Sequence, residues 1–199
     1  MDLYIWKGLV IGLSLAAPVG PIGLLCIRRT LTQGRINGFV SGLGAASADA
    51  VYGMIAAFGL TFITEFLLGQ KTWLQLVGGA FLCYLGIKTI LSKVAHTPAN
   101  AQGKQLLSAY SSVFFLTLTN PMTILSFIGI FAGLGVAAGD TTSSLTLVIG
   151  IFLGSALWWL FLATIAGVFK ERMNTQALTW VNRVSGVILI IVGSIALFV

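Results

Sequence analysis

Six apolar runs, each long enough to cross a bilayer as a helix, take up almost the whole chain: residues 4–27, 37–63, 72–91, 107–132, 144–169 and 178–198. A hydrocarbon core of about 30 Å needs roughly 20 apolar helical residues, and backbone polar groups in lipid are satisfied only within helices or closed barrels. The connections are short and polar, the longest being residues 92–106, which leaves no room for a folded extramembrane domain. The charged fraction is 8% and the hydrophobic fraction 57%, whereas soluble domains carry about 25% charged residues. The expectation is one all-α integral membrane domain over residues 1–199. The formal charge of +6 then belongs to loops, not to a nucleic-acid surface.

The basic residues fix an orientation. Arg28, Arg29 and Arg35 follow the first run, Lys88, Lys93 and Lys104 surround the third connection, and Lys170, Arg172 and Arg183 surround the fifth. Only Lys7 and Lys71 fall on the opposite side, with Asp2, Glu65 and Asp140. The positive-inside rule makes connections one, three and five cytoplasmic and puts both termini outside. The start Met1-Asp2 has no basic n-region, so the first run reads as a retained helix and not as a signal peptide. Trp6 and Trp73 fall near the outer interface and Trp180 near the inner one, where indoles anchor. His96 reads as a solvated loop residue.

The first run is not an ordinary helix. Pro18, Gly20, Pro21 and Gly23 stand within six residues, and each proline removes a backbone donor and crowds the turn before it. Broken apolar helices in lipid point to a transporter's binding site, because open backbone is tolerated only beside protein or a wet cavity. Asn120-Pro121 makes a second such break, opening carbonyls around Leu116 and Thr117.

The two breaks belong to an internal repeat. A shift of 107 residues places Trp73, Val77, Gly79, Leu82 and Gly86 on Trp180, Val184, Gly186, Leu189 and Gly193. A shift of 106 places Gly44, Ala50 and Ala57 on Gly150, Ala156 and Ala163, and a shift of 103 places Leu15 and Pro18 on Leu118 and Pro121. Units of three helices are odd in number, so the second copy enters the membrane upside down. The fold class expected is therefore six transmembrane helices as two inverted three-helix repeats, about 1–91 and 107–199, with helices one and four broken.

At 1.5 Å per residue, Pro18, Asp49, Asn120-Pro121 and Ser155 all lie near the midplane, and Asp49 aligns with Ser155. Asp49 is the only acid deep in the membrane. A central Asp costs about 2.5–3.5 kcal/mol on insertion scales and so faces a cavity or a partner. It fits an ammonium-binding or proton-carrying group; the alternative is a protonated carboxyl bonded to a neighbouring helix. The candidate substrate-binding or proton-coupling residues are Asp49, Pro18, Gly20, Pro21, Asn120, Pro121, Ser155 and Tyr52, with Thr117 and Thr119 behind them. Trp158 and Trp159 sit in mid-helix and read as packing or lipid contact ahead of lining a substrate path. No metal-ligand cluster, cofactor motif or catalytic constellation is visible, so neither a metal or cofactor nor an enzyme is expected.

Several motifs resemble one family. Ala17-Pro18-Val19-Gly20-Pro21 followed by Arg28-Arg29-Thr30-Leu31-Thr32-Gln33-Gly34-Arg35 resembles the first motif of the LysE/RhtB amino-acid exporters. Ala48-Asp49 is similar to their acidic second helix, Trp73 with Gly78-Gly79-Ala80-Phe81-Leu82 and Leu85-Gly86-Ile87 to their third, and Phe114-Phe115-Leu116-Thr117-Leu118-Thr119-Asn120-Pro121 to their Asn-Pro helix. Two positions depart from the commonest pattern: Val19 separates Pro18 from Gly20-Pro21, and Met122 stands where many members have Lys. The resemblance implies a bacterial inner-membrane secondary transporter that exports amino acids or related metabolites, with protons as coupling partner.

Two other classes were weighed. A thiol–disulfide carrier needs cysteines that can meet, but Cys26 falls near the inner end of helix one and Cys83 near the middle of helix three. A passive channel needs charge rings or a filter element, and none is visible. The small-residue faces suit packing within a monomer or in a homo-oligomer alike.

Overall fold

The computed structural model describes residues 2–18, 20–58, 69–91, 103–120, 123–127, 141–170 and 175–198. Pro121, Met122, Val19, Glu65, Lys93, His96, Asp140 and Arg172 lie outside the described residues. Seven helices are bounded among those described: α1 (Asp2–Ala16), α2 (Pro21–Gln33), α3 (Arg35–Ala57), α4 (Lys71–Leu91), α5 (Gly103–Leu118), α6 (Thr141–Lys170) and α7 (Thr175–Phe198). A further helical segment covers residues 123–127. No strand occurs among the described residues. Four helices, α3, α4, α6 and α7, are long and apolar enough to cross a membrane singly, and α1 with α2 makes a fifth span if the bent pair counts as one.

The first expected span is broken at its prolines, into two helices. The chain leaves α1 at Ala16 and restarts at Pro21 with the axis turned by 82°. Pro21 occupies the first position of α2, where its missing donor has no intrahelical acceptor to lose and its fixed φ suits the helix start. The proline that reads as a breaker is also an initiator. A single residue, Gly34 at φ 104°, joins α2 to α3. That left-handed backbone strains any side-chain-bearing residue.

The expected loop arginines are corrected. Arg28 and Arg29 lie on α2 and are 6% and 8% exposed. Arg28 Nε donates to Asn182 Oδ1 of α7 at 2.8 Å. Arg29 donates to Ser41 Oγ of α3 at 2.9 Å, and to the Ala109 carbonyl and Ser112 Oγ of α5, each at 2.8 Å. The short helix is thus tied at its C-terminal end to three others. Arg35, by contrast, is exposed.

Helix contacts separate the molecule into a core and a flanking pair. In the core α1 packs on α6, α6 on α3, and α3 on α5, while α4 packs chiefly on α7. Glycines set the close crossings, since without Cβ two backbones approach directly. At the α1–α6 crossing, a Cβ added to Gly12 would stand 2.1 Å from the Ile151 carbonyl oxygen. In the α4–α7 pair, Gly86 and Gly186 each lie close to the other's carbonyl, and Gly193 lies close to that of Gly79. Trp6, Trp73 and Trp180 stay exposed on the outside.

Candidate functional site

A cavity of about 570 Å³ lies between the core and the α4–α7 pair. It falls inside the range of roughly 300–1,000 Å³ common to small-molecule sites. Its lining brings Pro18, Gly20, Pro21, Asp49 and Asn120 together, although they come from three separate stretches of the chain. Two of the expected residues, Ser155 and Tyr52, are close by but off the lining.

Asp49 stands where α3 meets α6. The stripe Ala45, Ala46 and Gly53 beside it on α3 is buried, which leaves its short side chain room to reach across. Its Oδ2 accepts from Ser155 Oγ at 2.7 Å. Trp159 Nε1 in turn donates to Ser155 Oγ at 3.1 Å, so the hydroxyl is oriented from both sides. Oδ1 has no hydrogen-bond partner among the described residues, and Asp49 borders the cavity. The carboxyl group thus has one oxygen held by Ser155, at a residue that borders the cavity, where a donor such as an ammonium group can meet it.

The break after α5 is closed by its own surroundings. The Thr119 hydroxyl donates to the Phe115 carbonyl at 2.9 Å, and the Asn120 N–H to that of Thr117 at 3.2 Å. The Asn120 carbonyl accepts from the Thr123 N–H at 3.1 Å and starts the next helical segment. Tyr52 donates its hydroxyl to the Leu118 carbonyl, so it holds the end of α5 and stays out of the cavity. Tyr52→Phe should leave that carbonyl unpaired at a cost of about 1–3 kcal/mol. Thermal unfolding in detergent checks this: a midpoint lowered by several degrees is expected, and an unchanged midpoint would refute the tie.

The two mid-helix tryptophans part company. Trp159 is 5% exposed and packs in the buried core, and it also lines the cavity. Trp158 is half-buried and packs on Phe161 with ring centroids 5.7 Å apart. Thr117 and Thr119 line the cavity as well, and so do Gln75, Thr123 and Ser126, which the sequence reading did not single out. One signal for Gln75 existed: the 107-residue shift puts it on Asn182, a second amide. No acid other than Asp49 and no basic residue borders the cavity among the described residues. No group of acids, cysteines and histidines suited to a metal occurs among them either. Both cysteines are free, and Cys83 Sγ lies 3.7 Å from the Ile190 carbonyl oxygen.

Comparison with known proteins converges on one family. The LysE type translocator family matches residues 13–198. YcgF of Bacillus subtilis (strain 168), provisionally named an amino acid efflux protein, is 31% identical over 93% of this chain and 90% of its own. YahN of Escherichia coli (strain K12), an uncharacterised membrane protein, is 32% identical over 69% of this chain and 63% of its own. The threonine efflux protein of Salmonella typhimurium (strain LT2) is 25% identical over 94% and 93%. No solved structure matches at a significant level. With helices of membrane-spanning length and a match over nearly its whole extent, the chain belongs to the LysE type translocator family.

Proposed function

We propose that this protein is a secondary transporter that exports amino acids or related small metabolites across the bacterial inner membrane in exchange for protons. The observation that carries the reading is Asp49, bonded to Ser155 through Oδ2 and lining a cavity that both helix breaks also border. An ammonium group is the natural partner of a lone intramembrane acid, and a proton is its natural replacement. Relatives named for amino acid and threonine efflux support the substrate class.

The architecture proposed with it is the six-helix inverted repeat, its basic face cytoplasmic and both termini outside. Three contacts support it. Asp49 and Ser155, equivalent under the 106-residue shift, bond to each other, as residues beside a two-fold axis do. The Gly79–Gly193 and Gly86–Gly186 pairs exchange under the 107-residue shift. Gly44 packs on Tyr110 and Phe114 as its equivalent Gly150 packs on Ile5 and Leu9. The last match runs two residues out of step with Pro18 on Pro121, so the copies differ in length before the break.

The test is transport by the purified chain in proteoliposomes loaded with single amino acids and a pH-sensitive dye. Outflow of at least one amino acid accompanied by proton inflow is expected. Outflow without proton movement would remove the coupling, and no outflow from a panel of the common amino acids would remove the substrate class.

A further inference from the structure

The cavity borders only one half of the α4–α7 pair. On α4 it is lined by Gln75 and Gly78, in the half nearer Lys71 and away from the basic face, and by Leu82 at the helix middle. The 107-residue shift carries these three onto Asn182 and Ser185, in the half of α7 nearer the basic face, and Leu189, just past its middle. These equivalents are shut in: Asn182 and Ser185 are each 2% exposed and Leu189 is fully buried. Two buried polar side chains on one face of α7 need a reason. Packing does not supply one, because apolar residues of similar size would fill the same space without the cost of burying polar atoms.

We infer that the face Asn182–Ser185–Leu189 is the second half of the substrate path, closed in this conformation by the hydrogen bond from Arg28 to Asn182. The inference rests on the inverted-repeat transporter reading above. If the two copies exchange conformations, the face now lining the cavity closes, and its equivalent opens toward the basic side. Arg28 is the group that must let go. Its Nε–Asn182 bond of 2.8 Å joins α2, packed on the core, to α7, in the flanking pair. Arg29 stays out of the exchange, since its hydrogen bonds go to α3 and α5 within the core. Arg28 is thus a gate on the cytoplasmic half of the path, and Asn182 and Ser185 are the polar groups a substrate meets on entry.

Cysteine accessibility tests this in the full-length chain with Cys26→Ser and Cys83→Ser as background. A membrane-impermeant maleimide is applied to the basic face in vesicles carrying Ser185→Cys, and to the opposite face in vesicles carrying Gln75→Cys. Ser185→Cys should react slowly, and about tenfold or more faster once Arg28→Gln is added, the population shift expected from losing a charge-assisted hydrogen bond. Gln75→Cys should become slower in the same Arg28→Gln background. Should Arg28→Gln not fold, the same opposed changes are expected with Arg28 intact and a mixture of the common amino acids supplied at the basic face. Ser185→Cys protected under both conditions, in a chain that still exports amino acids, would overturn this inference alone. Opposed labelling in a chain that moves no amino acid would overturn the amino-acid substrate class and leave the gate standing.

Discussion

Asp49→Asn is expected to reduce amino acid efflux by about 100-fold or more, the loss typical of removing one partner from a desolvated charge pair, and to abolish the accompanying proton movement. The fold should survive. Asparagine has nearly the same size and keeps an oxygen for Ser155 Oγ, which now lies 2.7 Å from Asp49 Oδ2. Insertion becomes easier, because a central acid costs about 2.5–3.5 kcal/mol and the amide less. Ser155→Ala separates orientation from charge: it frees Asp49 and Trp159 from each other but leaves the carboxylate in place, so a smaller loss follows. Efflux and thermal unfolding should be measured together. Unaltered efflux by a folded Asp49→Asn protein would remove Asp49 from the mechanism.

How much of this site the sequence displays depends on the kind of information each feature needs. The 106-residue shift aligns Asp49 with Ser155 in the sequence, but the hydrogen bond between them is legible only once α3 and α6 are packed together. The two breaks are visible because proline and glycine act locally. The direction the chain takes after a break is not local. Pro21 ends a helix or begins one according to where Gly20 leaves the backbone, and the 82° turn that makes α2 separate follows from its packing on α3, α6 and α7.

The arginines show a second limit. Positive-inside statistics assign Arg28 and Arg29 to one face but say nothing about Asn182, which is 154 residues away and buries one of them. Trp158 and Trp159 show a third. Apolar residues surround α6 on all sides, so no hydrophobic stripe reveals which of two neighbouring indoles faces inward. Only the partner helices decide it, with Gly42 of α3 packed against the Trp159 side chain.

The second large effect tests the architecture through its backbone crossings. A Cβ on Gly150 would stand 2.4 Å from the Ile5 carbonyl oxygen and 3.0 Å from the Leu9 nitrogen; one on Gly44 would stand 2.3 Å from the Tyr110 carbonyl oxygen and 3.0 Å from the Phe114 nitrogen. In each case the obstacle is helix backbone, which cannot rotate aside as a side chain can. Valine at either site must push two helices apart along their whole contact, and overpacking of this kind costs about 1–3 kcal/mol or more. Folded yield should therefore fall several-fold for Gly44→Val and for Gly150→Val, with similar losses, whereas Gly103→Ala, whose added Cβ meets nothing within 4 Å, should express normally. Equivalence is the informative part. If α1 against α6 and α5 against α3 are two copies of one packing unit, their glycines carry equal burdens, and monodisperse yield in detergent reports both. One variant tolerated while the other is lost would mean that the two halves are held together differently, and the symmetry argument for the closed half of the path would fall with it.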